Sequence, residues 1–380
     1  MQITVKLPHK PAGVTTRSAL AGEQVLLQTG GFHCSTEGET FFRIAEGLSA
    51  PYLAASLVSP SQVDILLAIV DRNNDAIVYI NDLKITALVQ SKVSAEAGQA
   101  LMKNDLSEVR EIDLGVEVPN DCGFLFIFSI GWRKGLLFDF GPLVPDVTRD
   151  FSVARAMGSA YGYVLANERF ALSENEWNTL MSGGWFPFIG LQSETVARMI
   201  DFLRGGRDVD LLLPEILEQV DRIGKEATAL SLNNEDFAVH ASFIKTALER
   251  FEAGDFISAG SILFPRIEGM LRTFYLLTRP SNSPNQMRLL NIAFPADVTT
   301  RLTILRTDKF ITYLETVIFS NFRWDNPTGA TRHTVGHGIV DQKDLSDRSV
   351  LLAILTVHHL LFSLMSRRAD ILSDHKATSS

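Results

Sequence analysis

The sequence predicts an α+β protein in three parts: a β-rich N-terminal sheet domain over 1–148, a helical connecting region over 149–224, and a C-terminal all-helical bundle over 225–380. Short apolar runs separated by polar turns fill the chain before Arg149. Beyond it the spacing of apolar residues changes to three and four, the period of a helix with one buried face. The last third holds long amphipathic stretches joined by short Pro-, Gly- and Asn-containing breaks, the pattern of an up-and-down bundle.

In the first part, Met1 to Pro8 reads as a strand and lacks the layout of a signal peptide. Val63 to Val70 is a continuous apolar run closed by Asp71-Arg72-Asn73-Asn74-Asp75, and Ala76 to Ile80 resumes it, which predicts a hairpin. Phe-rich Gly123 to Ile130 is a buried strand, and Gly135 to Phe140 follows at hairpin distance. The one helical pattern expected here is Ala95 to Val109.

The connecting region predicts helices over Val153 to Phe170, Glu174 to Met181 (capped by Ser173) and Thr195 to Leu203. Between the last two, Gly183-Gly184-Trp185-Phe186-Pro187-Phe188 reads as an aromatic plug packing onto the sheet. The bundle helices are expected over Glu235 to Phe251, Phe256 to Leu277, Asp297 to Phe319 and Leu345 to Arg368, with breaks at 279–285 and 326–329. Val350 to Met365 is the most apolar run. His358 and His359 lie inside it, and it is too short and too polar at its centre for a bilayer, so it reads as a core helix.

Composition limits the function. With 46% hydrophobic and 21% charged residues the chain has ordinary globular make-up, and its formal net charge of -9 excludes a protein that binds nucleic acid through its overall charge. Any RNA it handles is held by a local basic cluster or delivered as a tight, transient substrate. Cys34 and Cys122 have neither metal-ligand spacing nor the density of a disulfide scaffold, which fits a reducing, cytoplasmic setting. No phosphate-cradling Gly-rich loop, nucleophile elbow or kinase signature occurs, and no cofactor is expected.

The stretch that carries chemistry is Thr331-Arg332-His333-Thr334-Val335-Gly336-His337-Gly338, between a Pro/Gly break and the last helix. Histidine titrates near neutral pH and moves protons; arginine stays charged and offers a planar fork to phosphate. Cutting RNA without a metal needs a base for the ribose 2′-OH, an acid for the leaving oxygen and a cation for the phosphorane, and these residue types supply all three. Arg332 and His337, five apart, sit about 140° apart on an ideal helix, so one helix does not bring them together by itself.

An Arg, a polar neighbour and a His after a short gap resemble the signature of the HEPN superfamily. Arg332 matches the Arg, His333 the polar neighbour and His337 the terminal His. Phe264-Pro265-Arg266-Ile267-Glu268-Gly269-Met270-Leu271-Arg272 resembles the second bundle helix of bacterial HEPN-containing families, and the likeness spans 225–370. It implies a helical bundle that dimerises so that two motifs form one composite site, metal-independent endoribonuclease activity on RNA, and a toxin–antitoxin or anti-phage setting with an antitoxin or trigger protein as partner. No membrane partner is implied. Glu268 and Arg272, four apart, are spaced for an ion pair, and Glu268 is also placed to orient a motif side chain.

Three other readings of the same residues stand beside this one. The Arg–His stretch serves as an ordinary helix start; the domain is a non-catalytic HEPN adaptor for dimerisation or nucleotide binding; or His333, His337 and Asp341, at four-residue steps, hold a metal. The last requires the helix to continue past Gly338.

Overall fold

A computed structural model of the chain describes residues 1–56, 58–143, 148–170, 172–278, 284–295, 303–320 and 329–378. It is α+β, with one compact unit built on residues 1–167 and another on the chain from 168 onward.

The first unit runs β1 (Gln2–Lys6), β2 (Val14–Thr15), β3 (Leu27–Gln28), β4 (Gly30–Cys34), α1 (Glu39–Leu53), β5 (Ile65–Val70), β6 (Asp75–Ile80), β7 (Thr86–Ser91), β8 (Leu106–Asp113), β9 (Gly123–Ile130), β10 (Arg133–Asp139) and α2 (Val153–Phe170). Six strands form an antiparallel sheet in the order β1-β6-β5-β9-β10-β4, while β7 and β8 form a separate ribbon. The predicted hairpin is β5–β6, with Val70 opposite Ala76, and β9–β10 follows as expected.

Strands β5 and β9 are apolar throughout because both faces of the sheet are covered. Leu66, Ala68 and Val70, with Leu125 and Ile127, pack against Phe41, Tyr52 and Leu53 of α1. The alternate residues Leu67, Ile69, Phe124, Phe126 and Phe128 pack against Val109 and Ile112 of β8 and Val153, Met157 and Ala160 of α2. A Cβ at Gly158 would fall 2.5 Å from the Arg110 carbonyl oxygen, so glycine lets α2 lie directly on the ribbon.

Two expectations fail in this unit. Ala95 to Val109 is not a helix: a single turn at 103–105 leads into β8, whose Ser107 and Val109 are buried at strand spacing before a register shift at Arg110 moves the next buried position to Ile112. Conversely, Glu39–Leu53 is a helix that the sequence reading passed over, its pattern diluted by Pro51 and an exposed Phe42.

The second unit contains α3 (Glu174–Ser182), α4 (Ser193–Arg204), α5 (Leu213–Leu217), α6 (Val220–Leu232), α7 (Ala238–Glu252), α8 (Phe256–Thr278), α9 (Gln286–Ala293), α10 (Thr307–Tyr313, continued by a π turn over Leu314–Ile318), α11 (Arg332–Gly336) and α12 (Asp347–Thr378). One core cluster runs from Leu172 to Leu364. The expected connecting region is therefore divided: α2 covers the sheet and α3 onward belongs to the helical core. Ser173 caps α3 as predicted, exchanging bonds with Glu176. Trp185, Phe186 and Phe188 are buried, but not on the sheet. Phe186 packs on Phe310, Tyr313 and His359, so the aromatic plug closes the bundle core.

Of the third expected bundle helix, residues 297–302 lie outside the described residues; 303–306 are not helical, with Arg306 left-handed, and α10 takes up the helix at Thr307. The break at 279–285 falls outside the described residues at 279–283, and that at 326–329 at 326–328. Among the described residues, Asp347–Met365 alone is long and apolar enough to cross a membrane, and 83% of it is buried inside the protein. As read from the sequence, it is a core helix. His359 sits there without cost: Nδ1 accepts from the Ile189 N–H, which leaves Nε2 to donate to the Leu305 carbonyl.

Candidate active site

The motif forms its own short helix. Thr331 caps α11, its hydroxyl accepting from the Thr334 N–H, while buried Thr334 donates its hydroxyl to the Gly329 carbonyl. The helix ends after one turn: His337 is the C-cap, and Gly338 adopts φ 68°, a conformation other residues enter only with strain. The N–H groups of Ile339 and Val340 both reach the Thr334 carbonyl, turning the chain away. The local fold is thus set by two threonines and a glycine around the Arg and His positions.

What holds α11 to the bundle is Glu268 of α8, which is 8% exposed. Its Oε1 accepts from Arg272 Nε at 2.8 Å, the four-residue ion pair expected from the sequence. Its Oε2 lies 2.5 Å from Arg332 Nε, a close charge pair that lacks the alignment of a hydrogen bond. One carboxylate therefore meets both Arg272 of its own helix and Arg332 of the motif. It gathers two guanidinium groups, so the cluster keeps a net positive charge within a chain of net charge -9.

His333 projects from the same turn to α9, where its Nε2 meets Gln286 Oε1 at 3.1 Å. Partial burial, reinforced by the neighbouring charges of Arg332 and His337 and opposed by Glu268, holds its pKa below the usual imidazole value. It is therefore neutral, and able to accept a proton, at pH 7. His337 is exposed, and its ring lies nearly parallel to that of His333, with centroids 6.3 Å apart. Arg332, His333, His337, Glu268 and Arg272 thus form one connected group. Gln286 is the member the sequence reading missed. Nothing in the sequence singles it out, because its partner lies 47 residues away.

The metal reading loses its geometry. Helix α11 ends before His337, and Asp341 instead caps the following turn and pairs with Lys343 at 3.0 Å. Among the described residues no group of three His, Cys, Asp or Glu is placed to hold a metal ion. A cleft of about 660 Å³ lies nearby, with Thr331, Lys343, Ser346 and Arg348 in its wall. Its described lining includes none of Arg332, His333 or His337. Every residue of α12 from Val350 to Leu364 is buried, so this stretch of the last helix is used up in the unit's own core.

Compared with protein-family models, with curated proteins and with solved structures, the chain matches none.

Proposed function

We propose that the helical unit is a metal-independent endoribonuclease of HEPN type, acting as a cytoplasmic homodimer in a toxin–antitoxin or antiviral defence setting. The observation that carries this reading is the grouping of Arg332 and Arg272 on one buried carboxylate beside two imidazoles. It supplies phosphate-binding cations and proton-transfer groups together, which is what cleavage through the ribose 2′-OH requires. The partner surface in this reading is not α12; the helical unit leaves Val239 and Phe243 of α7, Leu276 of α8 and Met287 of α9 exposed as large apolar side chains that a second copy could cover.

One observation favours a second reading, a non-catalytic dimerisation or nucleotide-binding module: Arg332 already has a carboxylate partner, as a purely structural arginine would. An RNA cleavage assay decides between them. The wild-type chain is expected to cut RNA in excess EDTA and to leave 2′,3′-cyclic phosphate ends, with His337→Ala inactive but folded. Cleavage by His337→Ala at the wild-type rate removes the catalytic assignment. Loss of activity on chelation, restored by a divalent ion, removes the metal-free mechanism.

A further inference from the structure

Resting on the ribonuclease reading, we infer that both proton transfers occur within one chain: His333, its tautomer set by Gln286, is the base, and His337 on the same turn is the acid. The superposition of two motifs across a dimer is then needed for binding RNA and for cations, not to complete the acid–base pair.

The geometry behind this is local. The imidazoles stand nearly parallel with centroids 6.3 Å apart, a spacing that would let hydrogen bonds of about 2.8 Å from each ring reach two oxygens of a single phosphate. The four-residue step from 333 to 337 creates this pair. Gln286 Oε1 can only accept, so the His333 Nε2 facing it at 3.1 Å carries the proton in the neutral ring and the lone pair lies on Nδ1. Nδ1 takes the 2′-OH proton as the 2′ oxygen bonds to phosphorus. The bond from phosphorus to the 5′ oxygen breaks, and that oxygen takes a proton from protonated His337. One proton is gained and one given, so the pair returns to its starting state only after exchanging protons with water.

Among the described residues, the charged groups acting on His333 include Arg332 and His337 on its own turn and, from α8, Glu268, which Arg272 shares; α9 presents neutral Gln286. Removing His337 therefore removes a neighbour that disfavours the charged His333, and placing a carboxylate at 286 favours it.

The test has two arms on the full-length chain. Without RNA, nitrogen and proton NMR of His333 reads tautomer and titration. The Nε2–H form is expected in the wild type, a mixture of tautomers in Gln286→Leu, and a pKa raised by about one unit in Gln286→Glu. The pH profile of cleavage should shift to higher pH by the same amount in Gln286→Glu. In the second arm, His333→Ala and His337→Ala chains are co-expressed and their mixed dimers assayed. Within-chain transfer predicts no recovery, since neither chain retains the pair. Recovery of activity, or a His333 tautomer and pKa indifferent to residue 286, overturns the inference while leaving a cleaving wild type as a ribonuclease. A wild type that cuts no RNA overturns the ribonuclease reading itself, and the catalytic roles with it.

Discussion

Two arginine–carboxylate pairs, one in each unit, differ in what surrounds them. In the sheet unit, Arg149 is fully enclosed. Its Nε donates to Asp139 at 2.7 Å, its other nitrogens donate to the Pro119 and Cys122 carbonyls, and its face lies over Phe124. In the helical unit, Arg332 keeps 26% of its side chain exposed, and its carboxylate is shared with Arg272. The first pair has its hydrogen bonds spent on main chain, as a group that fixes a loop must. The second is held by one edge at the surface, beside two histidines. A buried pair is costly to break because the survivor stays charged and unsolvated. A surface-facing pair contributes little to stability and is available to a ligand.

That contrast is sharpest in paired substitutions. Arg332→Ala should lower RNA cleavage by about a hundredfold or more, on the scale of losing a group that stabilises transition-state charge, with denaturant unfolding changed by less than about 1 kcal/mol. Arg149→Ala should do the opposite. It should destabilise the sheet unit by about 3–5 kcal/mol and leave the chemistry of the helical unit unchanged. Comparable unfolding curves for the two variants would erase the distinction between them.

Glu268 belongs to both sides of the comparison, since it is buried like Asp139 yet serves the exposed motif. Glu268→Gln keeps its size and its ability to accept while removing its charge. Cleavage should fall by about tenfold as Arg332 loses its anchor, with stability falling by about 1–3 kcal/mol because two guanidinium groups are left facing each other. If cleavage is unchanged, Glu268 is a structural carboxylate only.

How much of this was legible beforehand depended on how local each feature is. The β5–β6 and β9–β10 hairpins, α2 and the capped start of α3 were readable because turn residues and period lie within a few positions of one another. Helix α1 was hidden by Pro51 and Phe42, and β8 looked helical because its core neighbours, not its own pattern, decide its state. At the site, Glu268 and Arg272 were legible as a four-residue pair, whereas the Glu268–Arg332 contact crosses from α8 to α11 and only the fold reveals it. The aromatic stretch around Phe186 was correctly read as buried but assigned to the wrong core. Periodicity says that a face is covered, not by what.

The least direct effect on the site is the acid sensitivity of the helical unit. His240 of α7 is buried against α8, with Nε2 2.9 Å from the Thr273 hydroxyl. Burial, aided by the nearby charge of Arg266, lowers its pKa from 6.5 to about 4. His333, in the same unit, is also lowered. A histidine with a lowered folded value binds its proton more readily in the unfolded chain. Stability is therefore intact above pH 6.5 and is lost as pH falls from there towards 4. For His240 the full loss is about 3 kcal/mol at the low end, a ceiling that local opening to water reduces. Glu176 of α3, held near 2 by its bonds to Arg204 and the Ser173 cap, titrates only below this window. Between pH 6.5 and 4 the helical unit should thus weaken through its histidines before its paired carboxylates respond. His240→Gln, which retains a polar group opposite Thr273, should flatten that slope in denaturant titrations repeated across the range. An unchanged slope in the variant would show that His240 is protonated as easily folded as unfolded, and that acid sensitivity arises elsewhere in the bundle.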